Sequence, residues 1–121
     1  MLEHTSCYEK QEKIKKLFLG CDTPEQKYAK IIELGSKLQP IAEEFKTKEN
    51  LVRGCQSRMY LHATCSNGKV FFEVEADAMI SAGLGAILVT AYQEESPETI
   101  LSCPPLFLEE LQIQNGNPKR V

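Results

Sequence analysis

The stretch Ala78 to Tyr92 reads AMISAGLGAILVTAY and carries no charge. Ser81, Thr90 and Tyr92 are its only residues with polar side chains. A helix that is apolar nearly all round belongs inside a protein, not on its surface. The run is shorter than the about 20 residues needed to cross a bilayer. The spacing therefore predicts a central buried helix from Ala78 to about Tyr92, with Asp77 as its N-cap, and the rest of the chain has to be built around it. Ala82, Gly83, Gly85 and Ala86 give this helix a small-residue surface that allows close packing. Gly83-Leu84-Gly85 imitates the start of a dinucleotide fingerprint. It lacks the third glycine and lies within a helix, not at a strand-to-helix turn, so packing is its expected role.

Two helices precede this element. Ser6-x-x-Glu9 has the form of a capping box and Gly20 that of a C-terminal cap, which predicts a helix over Cys7 to Leu19. Thr23-Pro24-Glu25-Gln26 is a stronger start, with an N-cap, a proline at the first helical position and a glutamine at the third. Tyr28, Ile31, Ile32, Gly35 and Leu38 follow at helical spacing, so the second helix is expected to reach about Leu38. A short helical turn is expected over Ile41 to Phe45, then a polar connector over Thr47 to Asn50. Between Leu51 and Glu75 the pattern changes to strands. Leu51 to Arg53 is short and extended. Met59, Leu61 and Ala63 alternate with polar residues as in a half-buried strand. Asn67-Gly68 is a two-residue hairpin signal, and VFFEVE over Val70 to Glu75 is the returning strand. After the buried helix, Ser96-Pro97-Glu98 starts a short helix and Pro104-Pro105 a last one through Leu111. The expected fold is a single α+β domain over 1–121, a small antiparallel three-stranded sheet with the helices packed on one side.

Composition narrows the function. The chain has 121 residues and a net charge of −3, with a pI near 5.4. That is no footprint for a general nucleic-acid binder. The N-terminus lacks the apolar region of a signal peptide, and no membrane segment is expected. Cys7, Cys21, Cys55, Cys65 and Cys103 are an odd set without a C-x-x-C pair, a poor disulfide framework. His4 and His62 lie in no zinc spacing, so no metal site is expected. A reducing cytoplasm is the simplest location. The acidic pairs Glu43-Glu44, Glu94-Glu95 and Glu109-Glu110 read as solvated surface, and His62 as a strand residue without ligand partners.

One segment carries the chemistry. In Val52-Arg53-Gly54-Cys55-Gln56-Ser57-Arg58 a cysteine follows a glycine between two extended pieces. Glycine permits the backbone angles of a tight loop. Arg53 and Arg58 both favour thiolate over thiol, the form that reacts. Gln56 and Ser57 can supply hydrogen bonds within the loop. The other four cysteines, near helix ends, at the hairpin or before Pro-Pro, have weaker cases and are expected to be structural.

The segments KYAKIIELGSKLQPI, ENLVRGCQSRMYL, EADAMISAGLGAILVTAY, SPETIL and FLEELQI occur in an order and spacing that resemble the SufE sulfur-acceptor proteins of iron–sulfur cluster assembly. The likeness covers residues 28–113, and the Gly-Cys-Gln-Ser loop is its most specific part. The resemblance implies the fold of iron–sulfur scaffold proteins, a small antiparallel sheet with helices on one side. It implies that Cys55 accepts a persulfide sulfur from a SufS-type cysteine desulfurase, stimulates that enzyme, and delivers the sulfur toward a SufBCD-type scaffold complex. The chain would be an accessory protein, not a stand-alone enzyme. It would need no cofactor, because the pyridoxal phosphate is the partner's. Gly54, Gln56 and Ser57 would shape the loop. Arg53, Arg58, Asp77 and Arg120 would serve partner binding or loop gating. Tyr60 stands where family members often carry Trp. Two other readings remain open from the residues: a U-type scaffold that assembles a cluster on itself, and a desulfurase activator through which no sulfur passes.

Overall fold

The Thr23 signal forms a full capping box. Gln26 N–H donates to Thr23 Oγ1 at 3.2 Å, and Gln26 Oε1 accepts from Thr23 N–H at 3.1 Å and Asp22 N–H at 2.6 Å. Such a cap stabilises a helix by about 1 kcal/mol. In the computed structural model, which describes residues 5–52 and 57–105, this helix is α2, Pro24–Gly35. Before it lies α1, Thr5–Leu17. Ser6 sits inside α1 and not at its cap, because its hydroxyl donates to the Glu95 carboxylate at 2.8 and 3.0 Å. Gly20 takes φ +89° after α1, as a chain-reversing glycine should. Two 3-10 turns follow α2, Glu43–Phe45 and Lys48–Asn50. The hairpin consists of β1, Met59–Ser66, and β2, Lys69–Ala76. The strands are antiparallel, with Met59 opposite Ala76 and Ser66 opposite Lys69. Asn67 at φ 54° and Gly68 at φ 78° make the tight turn that joins them. Then come α3, Met79–Tyr92, and α4, Pro97–Ser102. Ser96 caps α4 by accepting the Thr99 N–H at 3.1 Å.

The expected buried helix is the centre of the molecule. Ser81, Gly83, Leu84, Gly85, Ala86, Ile87 and Ala91 of α3 are buried. Ile14, Phe18, Ile31, Leu84, Ile87 and Ala91 form the core cluster, which joins α3 to α1 and α2. The small residues permit this packing. A Cβ on Gly35 would lie 2.5 Å from the Gly83 nitrogen, and one on Gly83 would overlap the Ile31 carbonyl. On its other side α3 packs on β2, where Val74 is buried. Met59, Leu61 and Ala63 share that sheet face, but α3 lies over β2, so Leu61 remains 36% exposed at the β1 edge.

Among the described residues the sheet has two strands, not the three expected. The segment read as a third strand contributes an isolated bridge, Leu51 to Tyr60, with Val52 N–H donating to Met59 O at 2.8 Å. The 3-10 turn Lys48–Asn50 ends directly before Leu51, so the chain ahead of the bridge does not extend the pairing along β1, and Arg53 of the expected strand lies outside the described residues. The opposite edge is closed by the segment after α3. Glu95 bridges Val70, and the Gln93 amide imitates a strand residue by pairing with both backbone groups of Phe72, at 2.6 and 3.0 Å. Lys10 pins this segment to α1, donating to Gln93 O and pairing with the buried Glu95 carboxylate at 2.6 Å. The expected helix from Pro104 to Leu111 falls almost wholly outside the described residues.

Candidate functional site

The hairpin has a closed end at Asn67-Gly68 and an open end at Met59 and Ala76. Val52 and Arg58, on either side of the cysteine segment, both lie at the open end. Cys55 itself, with Arg53, Gly54, Gln56 and Arg120, lies outside the described residues. Its two approaches are well defined. On the entering side Leu51 and Val52 are tied to Tyr60 and Met59. On the leaving side Arg58 N–H donates to Asp77 Oδ1 at 3.0 Å, and Asp77 N–H donates to Arg58 O at 3.0 Å. Ser57 is partly buried beside this junction.

Asp77 therefore has a different job from the expected one. The N-cap of α3 is Ala78, with no side-chain capping bond. The Asp77 carboxylate is turned toward the neighbouring chain and occupied by the Arg58 backbone. The acid and Arg58, both named from the sequence, are brought together, though through backbone and not through an ion pair between their side chains.

A polar cleft of about 360 Å³ opens beside this junction, lined by Glu43, Lys46, Arg58, Tyr60, Glu75, Ala76 and Asp77. Glu75 and Tyr60 are cross-strand partners and so share one sheet face, the face opposite α3. The segment from Ile41 to Asn50 crosses that face. Phe45 stacks on the His62 ring with centroids 3.8 Å apart, which accounts for His62 as a packing residue. Glu75 accepts from Ile41 N–H at 2.7 Å and pairs with Lys46 at 3.0 Å. The Ile41 N–H and then the Lys46 ammonium hold the Glu75 carboxyl below its ordinary range. Hydrogen bonds to Glu43 and Glu75 push Lys46 up. Glu75 and Lys46 were not singled out from the sequence. An acid and a lysine in polar segments carry no local sign of where they meet.

Of the four other cysteines, two are interior. Cys7 and Cys103 are completely buried, Cys21 is partly buried and Cys65 is exposed near the hairpin turn; none of these four is in a disulfide. Burial, then the neighbouring Cys103, pushes the Cys7 thiol up to about 12, the opposite of what a nucleophile needs. Cys65 lies about 23 Å of strand away from Arg58. Among the described residues no group of three His, Cys, Asp or Glu side chains is placed to hold a metal ion. Nor is any helix of the described residues long and apolar enough to cross a membrane.

The sequence model of the SufE family, described as an Fe-S metabolism associated domain, matches residues 12–120. The chain belongs to the SufE family. An uncharacterized SufE-like protein of Synechocystis sp. is 33% identical over 102 residues, 84% of this chain and 64% of that protein. SufE-like protein 1, chloroplastic/mitochondrial, of Arabidopsis thaliana is 33% identical over 113 residues, 92% of this chain and 30% of that protein. The SufE chain thus spans less than two thirds of the length of these two relatives. The solution structure of a hypothetical protein from Thermus thermophilus superposes with a TM-score of 0.66 at 24% identity, covering 90% of this chain and 83% of that one. It shares the fold.

Proposed function

We propose that this SufE-family chain is a sulfur acceptor, with Cys55 as the residue that takes the sulfur. The observation that carries the reading is the geometry at the open end of the hairpin. Val52 and Arg58, the residues that bracket the cysteine segment, are both tied there by backbone hydrogen bonds, 2.8 Å to Met59 O and 3.0 Å to Asp77 Oδ1. Both approaches to the cysteine segment are thereby fixed at the same end of the hairpin.

The chemistry is thiol exchange. The Cys55 thiolate attacks the terminal sulfur of a persulfide on a cysteine desulfurase of SufS type. A new S–S bond forms at Cys55, the partner's S–S bond breaks, and the partner's thiolate leaves and takes up a proton. No external oxidant or reductant enters the balance. Arg53 and Arg58 favour the attacking thiolate, Gly54, Gln56 and Ser57 shape the loop, and Arg120 with Asp77 serves docking. The persulfide is then passed to a SufBCD-type scaffold. On this reading the pyridoxal phosphate belongs to the desulfurase and this chain works without a cofactor. The four described cysteines, all free thiols, suit a reducing compartment such as the cytoplasm.

The test is intact mass after incubation with a SufS-type desulfurase and cysteine. The wild-type protein should gain the mass of a sulfur atom and Cys55→Ser should not, whereas single changes of Cys7, Cys21, Cys65 and Cys103 should retain the gain. Persistent persulfide on Cys55→Ser overturns the assignment. Full stimulation of the desulfurase by Cys55→Ser would make the chain an activator without sulfur transit. A visible absorption band after anaerobic reconstitution would point to a self-assembled cluster.

A further inference from the structure

The Asp77 carboxylate secures the leaving side of the cysteine segment, and two residues earlier, on β2, Glu75 faces the segment that leads to the entering side. We propose that Glu75, acting with Lys46, is a positioning residue for sulfur acceptance: it fixes segment 41–50 to the sheet and so sets the Leu51–Val52 anchor through which the chain reaches Cys55. The inference rests on the reading of Cys55 as the acceptor.

Both carboxylate oxygens of Glu75 are engaged with that segment. Oε1 accepts the Ile41 N–H at 2.7 Å and Oε2 pairs with Lys46 Nζ at 3.0 Å. Lys46 also holds Glu43 at 3.0 Å, which closes the first 3-10 turn. Asn50 Nδ2 donates to Phe45 O at 2.7 Å and joins the second turn to the first. Beyond Asn50 the chain meets the sheet at Leu51, opposite Tyr60, and Tyr60 is the cross-strand partner of Glu75. Glu75, Tyr60 and Leu51 thus stand in one row across three neighbouring stretches of chain. Glu75 supplies two polar attachments between segment 41–50 and the hairpin, and the Phe45 ring on His62 adds a stacking contact. The carboxylate is about one-third exposed, so its ion pair adds little to global stability. Its effect is local, on where the segment lies.

The experiment follows amide exchange at Val52, whose N–H is held by Met59 O, together with the rate of persulfide formation on the full chain. Glu75→Ala removes both attachments. Val52 should exchange about fivefold faster or more, as expected for losing one or more hydrogen bonds, while persulfide formation slows severalfold and the α3 amides are unchanged. Glu75→Gln keeps an acceptor for the Ile41 N–H and should recover most of the Val52 protection. Lys46→Met leaves the Ile41 bond intact and should give an intermediate effect, and it serves as the second variant if Glu75→Ala folds poorly. Unchanged Val52 exchange in both Glu75→Ala and Lys46→Met would overturn the proposal, as would a Gln variant no better than Ala. Exchange at Val52 does not depend on which cysteine takes sulfur. A failure of the Cys55 assignment would appear in the Cys55→Ser mass alone and is thereby told apart from a failure here.

Discussion

Replacing Asp77 separates a junction holder from a helix cap. The carboxylate accepts the Arg58 N–H at 3.0 Å, and the first turn of α3 receives no side-chain bond from it. Asp77→Ala removes that acceptor but leaves the reverse bond, Asp77 N–H to Arg58 O at 3.0 Å, because that bond is made by backbone. A hydrogen bond to a charged acceptor contributes about 1.5–3 kcal/mol in general, and solvent exposure at Asp77 reduces this to about 1 kcal/mol. An energy of about 1 kcal/mol is a factor of about five in local opening. Arg58 amide exchange should therefore quicken about fivefold in Asp77→Ala and much less in Asp77→Asn, which keeps an oxygen in place. Exchange in α3 should be the same in all three proteins. Iodoacetamide should label Cys55 faster in Asp77→Ala, with Cys65, exposed at the far end of the hairpin, as an internal control. Two results would refute the reasoning. Uniform loss of protection along α3 would mean that Asp77 acts on the helix after all. Unchanged Arg58 exchange with unchanged labelling would mean that the backbone pair holds the junction without the carboxylate.

Gly83→Ala should cost about 1–3 kcal/mol or more, measured by denaturant unfolding, because the added methyl overlaps the Ile31 carbonyl, which is backbone and cannot rotate aside. A variant as stable as wild type would show that α2 and α3 can separate freely. The buried Cys7 thiol, pushed up to about 12 from an ordinary 9.0, gives alkaline destabilisation. Its contribution is fully present below pH 9 and falls as pH rises toward 12, with a limiting slope of about 1.4 kcal/mol per pH unit. Cys7→Ala should flatten that limb of the stability curve, and an unchanged slope would assign it to other groups. Glu75 has the opposite sign. Its carboxyl is held low, so its stabilisation is present above about pH 4.5 and is lost as pH falls through the lowered value, and Glu75→Gln should remove that part of the acid dependence.

The local signals were legible because each concerns a few neighbouring residues. Thr23 and Gln26 close their capping box within one turn, Asn67-Gly68 supplies the two positive φ angles its hairpin needs, and Ser96-Pro97 starts α4 as written. The uncharged stretch ending at Tyr92 had to be interior, since nothing on it could repay exposure to water. The signals that failed were of the same kind but had long-range competitors. Ser6 looked like a cap, yet its hydroxyl donates to Glu95, 89 positions away. Asp77 looked like a cap, yet its carboxylate accepts from the Arg58 N–H, 19 positions away.

The sequence by itself determined which helix is central, where the hairpin turns, and which cysteine stands between glycine and two arginines. Those follow from composition and spacing along the chain. Only the tertiary structure decided that the Leu51 segment makes a bridge and not a strand, that Gln93 completes the edge of β2, that Glu75 accepts the Ile41 N–H, and that Asp77 accepts the Arg58 N–H. The physical reason is common to these cases. A backbone N–H or a carboxylate takes the partner that packing brings nearest, and packing is settled by the burial of α3 against β2 and α2. Before that burial Glu75 is one acid among several on a polar strand face. Afterwards it lies beneath the Ile41 N–H and the Lys46 ammonium, at the end of the hairpin where the chain departs toward Cys55.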